Sequence, residues 1–173
     1  MIFNGALEKR TLSTSSIIAS FLKDAIEKKG GTVTVFNLAE ASIPFLDITL
    51  KETPRSVSVM ANIFRDAEIH IWLTPLYHGG MTVAMKNCLD WLEVTAKEPL
   101  PYLTDKVIGL ICWADGGKAM LGIQAMDIIA KSLRAWVHPY SIPIVKNELY
   151  ELEYLSISSI YQAKFSKMAE LLL

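Results

Sequence analysis

The chemistry-bearing residues of this chain fall in three loops. The first is Gly5-Ala6-Leu7-Glu8-Lys9-Arg10-Thr11-Leu12-Ser13-Thr14-Ser15-Ser16, which leads into a segment of helical period. A helix start offers unpaired N–H groups and about half a positive charge. Hydroxyls at Thr11, Ser13, Thr14 and Ser15 add donors there, so the loop can hold a phosphate. Its bland reading is a solvated loop with one N-cap serine. The second loop follows Thr74 as Pro75-Leu76-Tyr77-His78-Gly79-Gly80, a tight turn whose exposed N–H groups can bond the polar edge of a planar heterocycle. The third, Asp115-Gly116-Gly117-Lys118, is small enough for a ring to approach the backbone.

Several familiar chemistries are excluded by the same residues. The first loop lacks the glycine before a Lys-Ser/Thr pair that a P-loop needs, and it lacks the GxGxxG dinucleotide fingerprint. A response-regulator site fails because the first strand carries no acidic pair at its end and the third ends in Thr74 rather than Asp. Cys88 and Cys112, the two cysteines, sit in apolar runs and read as buried thiols rather than as a disulfide or zinc site. Lys86 and Asp90, at i and i+4, read as a surface pair. Trp72, Trp91, Trp113 and Trp136 read as core or subunit-contact residues. Tyr77 is open to either packing or ring contact, and His78 either donates to a ligand or is simply solvated.

Elements that could position these loops alternate along the chain. Met1–Asn4 reads as the end of a strand, Ser13–Lys29 as a helix, Thr32–Leu38 as a strand and Pro54–Asp66 as a helix. Glu68–Thr74 is the next strand, Thr82–Thr95 the third helix, Lys106–Ala114 a strand buried on both faces and Met120–Arg134 a helix. Trp136–Val145 is a strand interrupted by Pro139 and Pro143, which places it at a sheet edge, and Tyr154–Leu172 closes the chain as an amphipathic helix. Strict alternation predicts a three-layer, doubly wound, five-stranded parallel α/β sheet of strand order 2-1-3-4-5, in one domain over 1–173. The three loops then meet at the C-terminal strand ends, around the switch between strands 1 and 3. Only four residues precede Gly5, so the first strand is either short or preceded by further chain.

Composition bounds the partners. The 173 residues carry a net charge of −1, which gives no electrostatic reason to expect nucleic acid or an anionic membrane. No apolar run reaches the ~18 residues of a membrane span, and no basic stretch precedes a long apolar one at the N-terminus. Unpaired cysteines fit a reducing compartment, so a cytoplasmic location is expected.

The stretch TPLYHGGMTVAMKNCLDWL resembles the signature of the NADPH-dependent FMN reductase family, through Thr74, Pro75, Tyr77, Lys86, Asn87, Asp90 and Trp91. Gly5 to Ser13 stands where that family has GSxRxxSxN, and Ala114-Asp115-Gly116-Gly117 where it has a Ser/Thr-Gly-Gly loop. The resemblance implies a flavodoxin-like fold and an FMN-dependent NAD(P)H oxidoreductase, with NADPH or NADH as donor. Free flavin, a quinone, an azo dye or a metal oxyanion is the implied small-molecule acceptor. By position it assigns Gly5, Thr11 and Ser13 to the FMN phosphate, Pro75, Leu76, Tyr77 and His78 to the ring, and Asp115, Gly116 and Gly117 to the ring's edge. The flavin carries the chemistry, so no catalytic side chain is assigned. The resemblance further implies a homodimer or homotetramer, with Thr82–Thr95 as the contact. Departures are Ala6 for serine, Glu8 for the phosphate arginine and Leu76 for glutamate. A carboxylate near a phosphate repels it, so Glu8 is expected to face solvent while Lys9 or Arg10 supplies charge. The alternative reading is a non-enzymatic electron carrier or a module that has lost its flavin.

Overall fold

The run VIGLICWA is apolar on both alternating faces, which suits a strand covered by helices on each side. In the computed structural model of the chain, which describes residues 1–151 and 156–173, it forms β4 (Val107–Ala114). The other strands are β1 (Ile2–Asn4), β2 (Val35–Asn37), β3 (Ile69–Pro75), β5 (Trp136–Val137) and β6 (Ile142–Val145). Helices α1 (Thr14–Glu27), α2 (Arg55–Asp66), α3 (Val83–Asp90), α4 (Ala119–Ser132) and α5 (Ser159–Leu172) separate or close them. The strands pair in parallel in the order β2-β1-β3-β4-β5, with β6 also on β4. This is the expected flavodoxin-like order, with β1 and β3 adjacent at the switch point.

Several boundaries differ from those read in the sequence. The last strand is two pieces: His138 N–H still donates to Ile108 O at 2.9 Å, the next inward donor, Tyr140 N–H, turns to His138 Nδ1 at 3.1 Å, and pairing resumes at Ile142. The third helix leaves α geometry at Asp90 and tightens into a 3₁₀ turn over Trp91–Thr95. The second strand is shorter than Thr32–Leu38, and β1 pairs over three residues. The closing helix begins at Ser159; its expected start at Tyr154 lies outside the described residues.

Side-chain alternation along the strands divides the interior into two cores. Phe3, Trp72 and Leu110 face one way, against Phe64 of α2, Leu89 of α3 and Met126 of α4. Ile2, Ile71, Leu73 and Ile111 face the other, against Ile18 and Leu22 of α1 and Phe165 and Met168 of α5. Phe3 centres the first core, edge-on to Phe64 at 4.9 Å and to Trp72 at 6.3 Å between ring centroids. Trp72, Trp91 and Trp113 are buried, whereas Trp136 is 68% exposed on the outer strand. Both cysteine thiols are buried, and burial pushes Cys88 up and Cys112 up to about 12, so each stays protonated near neutral pH. No described helix is long and apolar enough to cross a membrane, and no cluster of described side chains could hold a metal ion.

His70 on β3 is the buried titratable group of the first core. Its Nε2 lies 3.3 Å from Ala67 O, while Nδ1 has no partner among the described residues. Desolvation, reinforced by the nearby N-terminal ammonium, lowers its pKa to about 3. The unfolded chain therefore binds a proton near pH 6.5 that the folded chain refuses until about pH 3, so stability falls as pH drops through that window. Between pH 6.5 and 5 the loss from this one group is expected to be about 2 kcal/mol. Urea unfolding across that range should show it for the native chain and a flatter dependence for His70→Leu.

Candidate functional site

The ends of β1, β3 and β4 lie side by side, since Asn4 is in register with Leu73 and Pro75 with Trp113. The three loops singled out in the sequence therefore leave from one edge of the sheet. Thr82 joins two of them. Its hydroxyl donates to Gly5 O at 2.8 Å and accepts from Met85 N–H at 3.0 Å, so it caps α3 while holding the end of β1. Gly5 is required by the closeness of this contact: a Cβ there would stand 2.4 Å from Met85 Sδ, and Met85 is fully buried. Gly5 N–H is spent on Leu73 O at 2.8 Å, so its place is in the sheet ladder at the loop's root.

From Leu7 to Leu12 the first loop is exposed. Among the described residues, nothing accepts from the N–H groups of Leu7 through Leu12, or from Thr14 and Ser15 in the first turn of α1. Ser13 is the N-cap of α1, its Oγ accepting from Ser16 N–H at 3.2 Å. It also meets Ser15 Oγ at 3.1 Å and Ser16 Oγ at 2.7 Å. Thr14 Oγ1 accepts from the Tyr150 hydroxyl at 3.1 Å. Glu8 is half-exposed, as expected, but it is paired with Arg10 rather than free in solvent. The Asn4 and Asn37 side chains, joined at 3.1 Å, fasten the ends of β1 and β2, and Asn4 Oδ1 accepts from Ala6 N–H at 3.1 Å.

The second loop is a reverse turn with a defined hand. Tyr77 N–H donates to Gly80 O at 2.9 Å and Gly80 N–H to Tyr77 O at 3.0 Å. His78 and Gly79 between them have φ of +49° and +89°, the pattern of a type I′ turn. Histidine tolerates the left-handed region better than most residues, and Gly79 has no Cβ to object. Leu76 N–H extends the pairing of β3 with β4 by donating to Trp113 O at 2.8 Å, so Leu76 is held through its backbone. Tyr77 is 60% exposed, which answers the packing question: its ring projects from the turn. The third loop is open. A Cβ on Gly80, Gly116 or Gly117 would meet nothing within 4 Å. Asp115 is exposed and pairs with Lys146, just past β6, at 3.6 Å.

The Lys-Asn-x-x-Asp-Trp part of the signature has a structural job beside the site. Asn87 accepts from Leu46 N–H and donates to Pro44 O, both at 2.8 Å, and Trp91 Nε1 donates to Pro44 O at 2.7 Å. One turn apart, on α3 and at the start of the 3₁₀ turn that follows it, they pin the segment preceding α2. Lys86 and Asp90 form the anticipated i,i+4 pair at 2.5 Å on the surface. Thr82 is the residue whose role the sequence reading missed. A threonine directly before the apolar helical run VAMKNCLDW was the available signal, because that is where an N-cap stands.

Free backbone donors at a helix start, an open glycine loop and a rigid turn lie together at the strand 1–3 switch, where doubly wound sheets generally bind ligands. The donor set and the uncluttered glycines fit FMN. Residues 1–148 match the family of NADPH-dependent FMN reductases, and the chain belongs to that family. It is 25% identical over 146 residues to the NADPH-dependent FMN reductase ArsH of Rhizobium meliloti (strain 1021), an alignment covering 84% of this chain and 58% of that protein. It is 27% identical to the NADPH azoreductase of Bacillus sp. (strain OY1-2), over 83% of this chain and 72% of the relative. Its fold is that of FerB, the flavoenzyme NAD(P)H:(acceptor) oxidoreductase of Paracoccus denitrificans, with TM-score 0.77, 17% identity and coverage of 99% and 92%.

Replacing Thr82 by valine keeps the shape but strands a buried Gly5 carbonyl and uncaps α3. The expected cost is about 1–3 kcal/mol. Urea unfolding measures it, and Thr82→Ser, which keeps the hydroxyl, should recover most of the loss.

Proposed function

We propose that this chain is an FMN-dependent NAD(P)H oxidoreductase acting on a small-molecule acceptor. The observation that carries the reading is the convergence of three loops that offer backbone donors and glycine surface at the switch between β1 and β3. Leu7–Leu12, Thr14 and Ser15 supply N–H groups to the phosphate, with Thr11 and Ser13 as the assigned hydroxyls. The turn Pro75-Leu76-Tyr77-His78 supports the isoalloxazine ring, where the N–H groups of His78 and Gly79 are free of partners among the described residues. Asp115, Gly116 and Gly117 border the ring's other edge, the bare glycines leaving room for it.

Bound there, FMN would supply two-electron redox chemistry between a reduced nicotinamide and the acceptor. The protein's part is placement. The type I′ turn fixes donor directions, and Tyr77 stands exposed beside them, able to cover a bound ring. No described side chain needs to transfer a proton. The relatives named as azoreductase and as FMN reductase support azo compounds and flavins as acceptor classes for this chain, and the donor is NADPH or NADH.

The reading includes self-association of the single domain as a homodimer or homotetramer. Phe45 and Ile48, 78% and 82% exposed on the segment that Asn87 and Trp91 pin, and exposed Val83 on α3 support a contact through that face. Sedimentation equilibrium tests it, with a monomer as the contrary result.

Purified protein incubated with FMN and desalted is expected to retain or titrate with a flavin spectrum that bleaches when NADPH is added without oxygen. Flavin that binds but is inert to NADPH and NADH would favour a carrier, and failure to bind flavin would overturn the assignment. Gly117→Val tests the cradle. Its added Cβ meets nothing in the protein, so the melting temperature should hold while FMN affinity falls at least about tenfold.

A further inference from the structure

The first loop has an unusual charge arrangement, and it bears on which flavins the site distinguishes. Arg10 stands at the right place to reach a phosphate at the start of α1. Its backbone carbonyl accepts from Ser13 N–H at 3.1 Å and Ser16 Oγ at 3.3 Å, so its Cα is fastened to the cap of the helix. Its guanidinium, however, is engaged by the Glu8 carboxylate within the same loop. Lys9 has no ion-pair partner among the described residues, so the loop as a whole carries one net positive charge in place of two.

The hydroxyls tell the same story. Ser13 bonds Ser15 and Ser16, Ser16 bonds Arg10 O, and Thr14 receives the Tyr150 hydroxyl. Among Thr11, Ser13, Thr14, Ser15 and Ser16, Thr11 is the one with no protein partner in the described residues. Backbone N–H groups and the O–H groups of Thr11 and Thr14 remain for an anion, while Ser13, Ser15 and Ser16 bond one another and the Arg10 guanidinium is shared with Glu8. The contacts for the ring at Pro75–Gly80 and Gly116–Gly117 do not depend on any of this.

We propose that Glu8 is a specificity-determining residue. By pairing with Arg10 and placing a carboxylate beside the phosphate position, it reduces the advantage over riboflavin that the free N–H groups of the loop give FMN. The inference rests on the flavin-site reading above and concerns its phosphate end. A carboxylate well within a Debye length of a phosphate dianion repels it enough, even in water, to cost on the order of fivefold in affinity at low salt. Riboflavin, which has no phosphate, feels none of it.

The test is fluorescence titration of the intact protein and of Glu8→Gln with FMN and with riboflavin, at low salt and again near 0.5 M. The native chain should prefer FMN over riboflavin by a smaller factor than Glu8→Gln does. Glu8→Gln should tighten FMN by about fivefold at low salt, leave riboflavin unchanged, and lose most of that gain at high salt. Arg10→Gln, a second exposed change, should cancel the gain when combined with Glu8→Gln. Strong preference of the native chain for FMN, with no tightening in Glu8→Gln, overturns the proposal while leaving the flavin site intact. Binding of neither flavin by either protein overturns the site along with it.

Discussion

One hydroxyl holds the working end of this molecule together. Thr82 Oγ1 gives its proton to the last carbonyl of the β1 ladder and takes one from the first turn of α3. The two partners are 77 and 3 residues away, so a single side chain couples the most distant and the most local constraints at the site. It is buried, and a buried hydroxyl with both roles filled is costly to disturb. The absence of a Cβ at Gly5 is what lets the contact form. Everything the site needs is geared to that junction: the start of the first loop, the return of the second, and the axis of the helix that carries Asn87 and leads to Trp91.

The site so assembled recognises with backbone more than with side chains. Its turn, its glycine surface and the start of α1 present N–H groups whose directions are set by ladder and helix geometry. Such donors are preorganised and lose little freedom on binding. They also carry little sequence information, which is how Ala6, Leu76 and Glu8 can replace other residue types while the framework persists. Side chains exposed beside that backbone surface are Glu8 and Arg10 near one end and Tyr77 and His78 near the other.

Strand order and layer arrangement were legible because β-branched runs such as VIGLICWA and helical spacing such as Ile18 and Leu22 report burial directly. The loops were legible by composition, since Gly79, Gly80, Gly116 and Gly117 mark backbone that must stay open. Less visible were features set by long-range contact. Nothing local announces that Thr82 reaches Gly5, that Asn4 and Asn37 join, or that Asn87 holds the segment at Pro44. Pro139 and Pro143 both predicted an edge and both stand where the missing N–H faces away from β4, and the interruption comes where the next inward donor, Tyr140 N–H, turns to His138 Nδ1 instead. The partner of Glu8 was equally hidden, as two oppositely charged residues in a solvated loop have many alternatives.

That outer edge has a further consequence. In β6 the positions that alternate away from β4 are Pro143, which has no N–H, and Val145, whose N–H goes to the Tyr161 hydroxyl at 2.9 Å. A strand arriving from another molecule would find no donors there to start a ladder. The sheet is therefore terminated chemically on this side, and growth of one molecule onto another by strand addition is blocked along β6. A contact between copies at this edge would have to be built from side chains, where specificity can be tuned residue by residue.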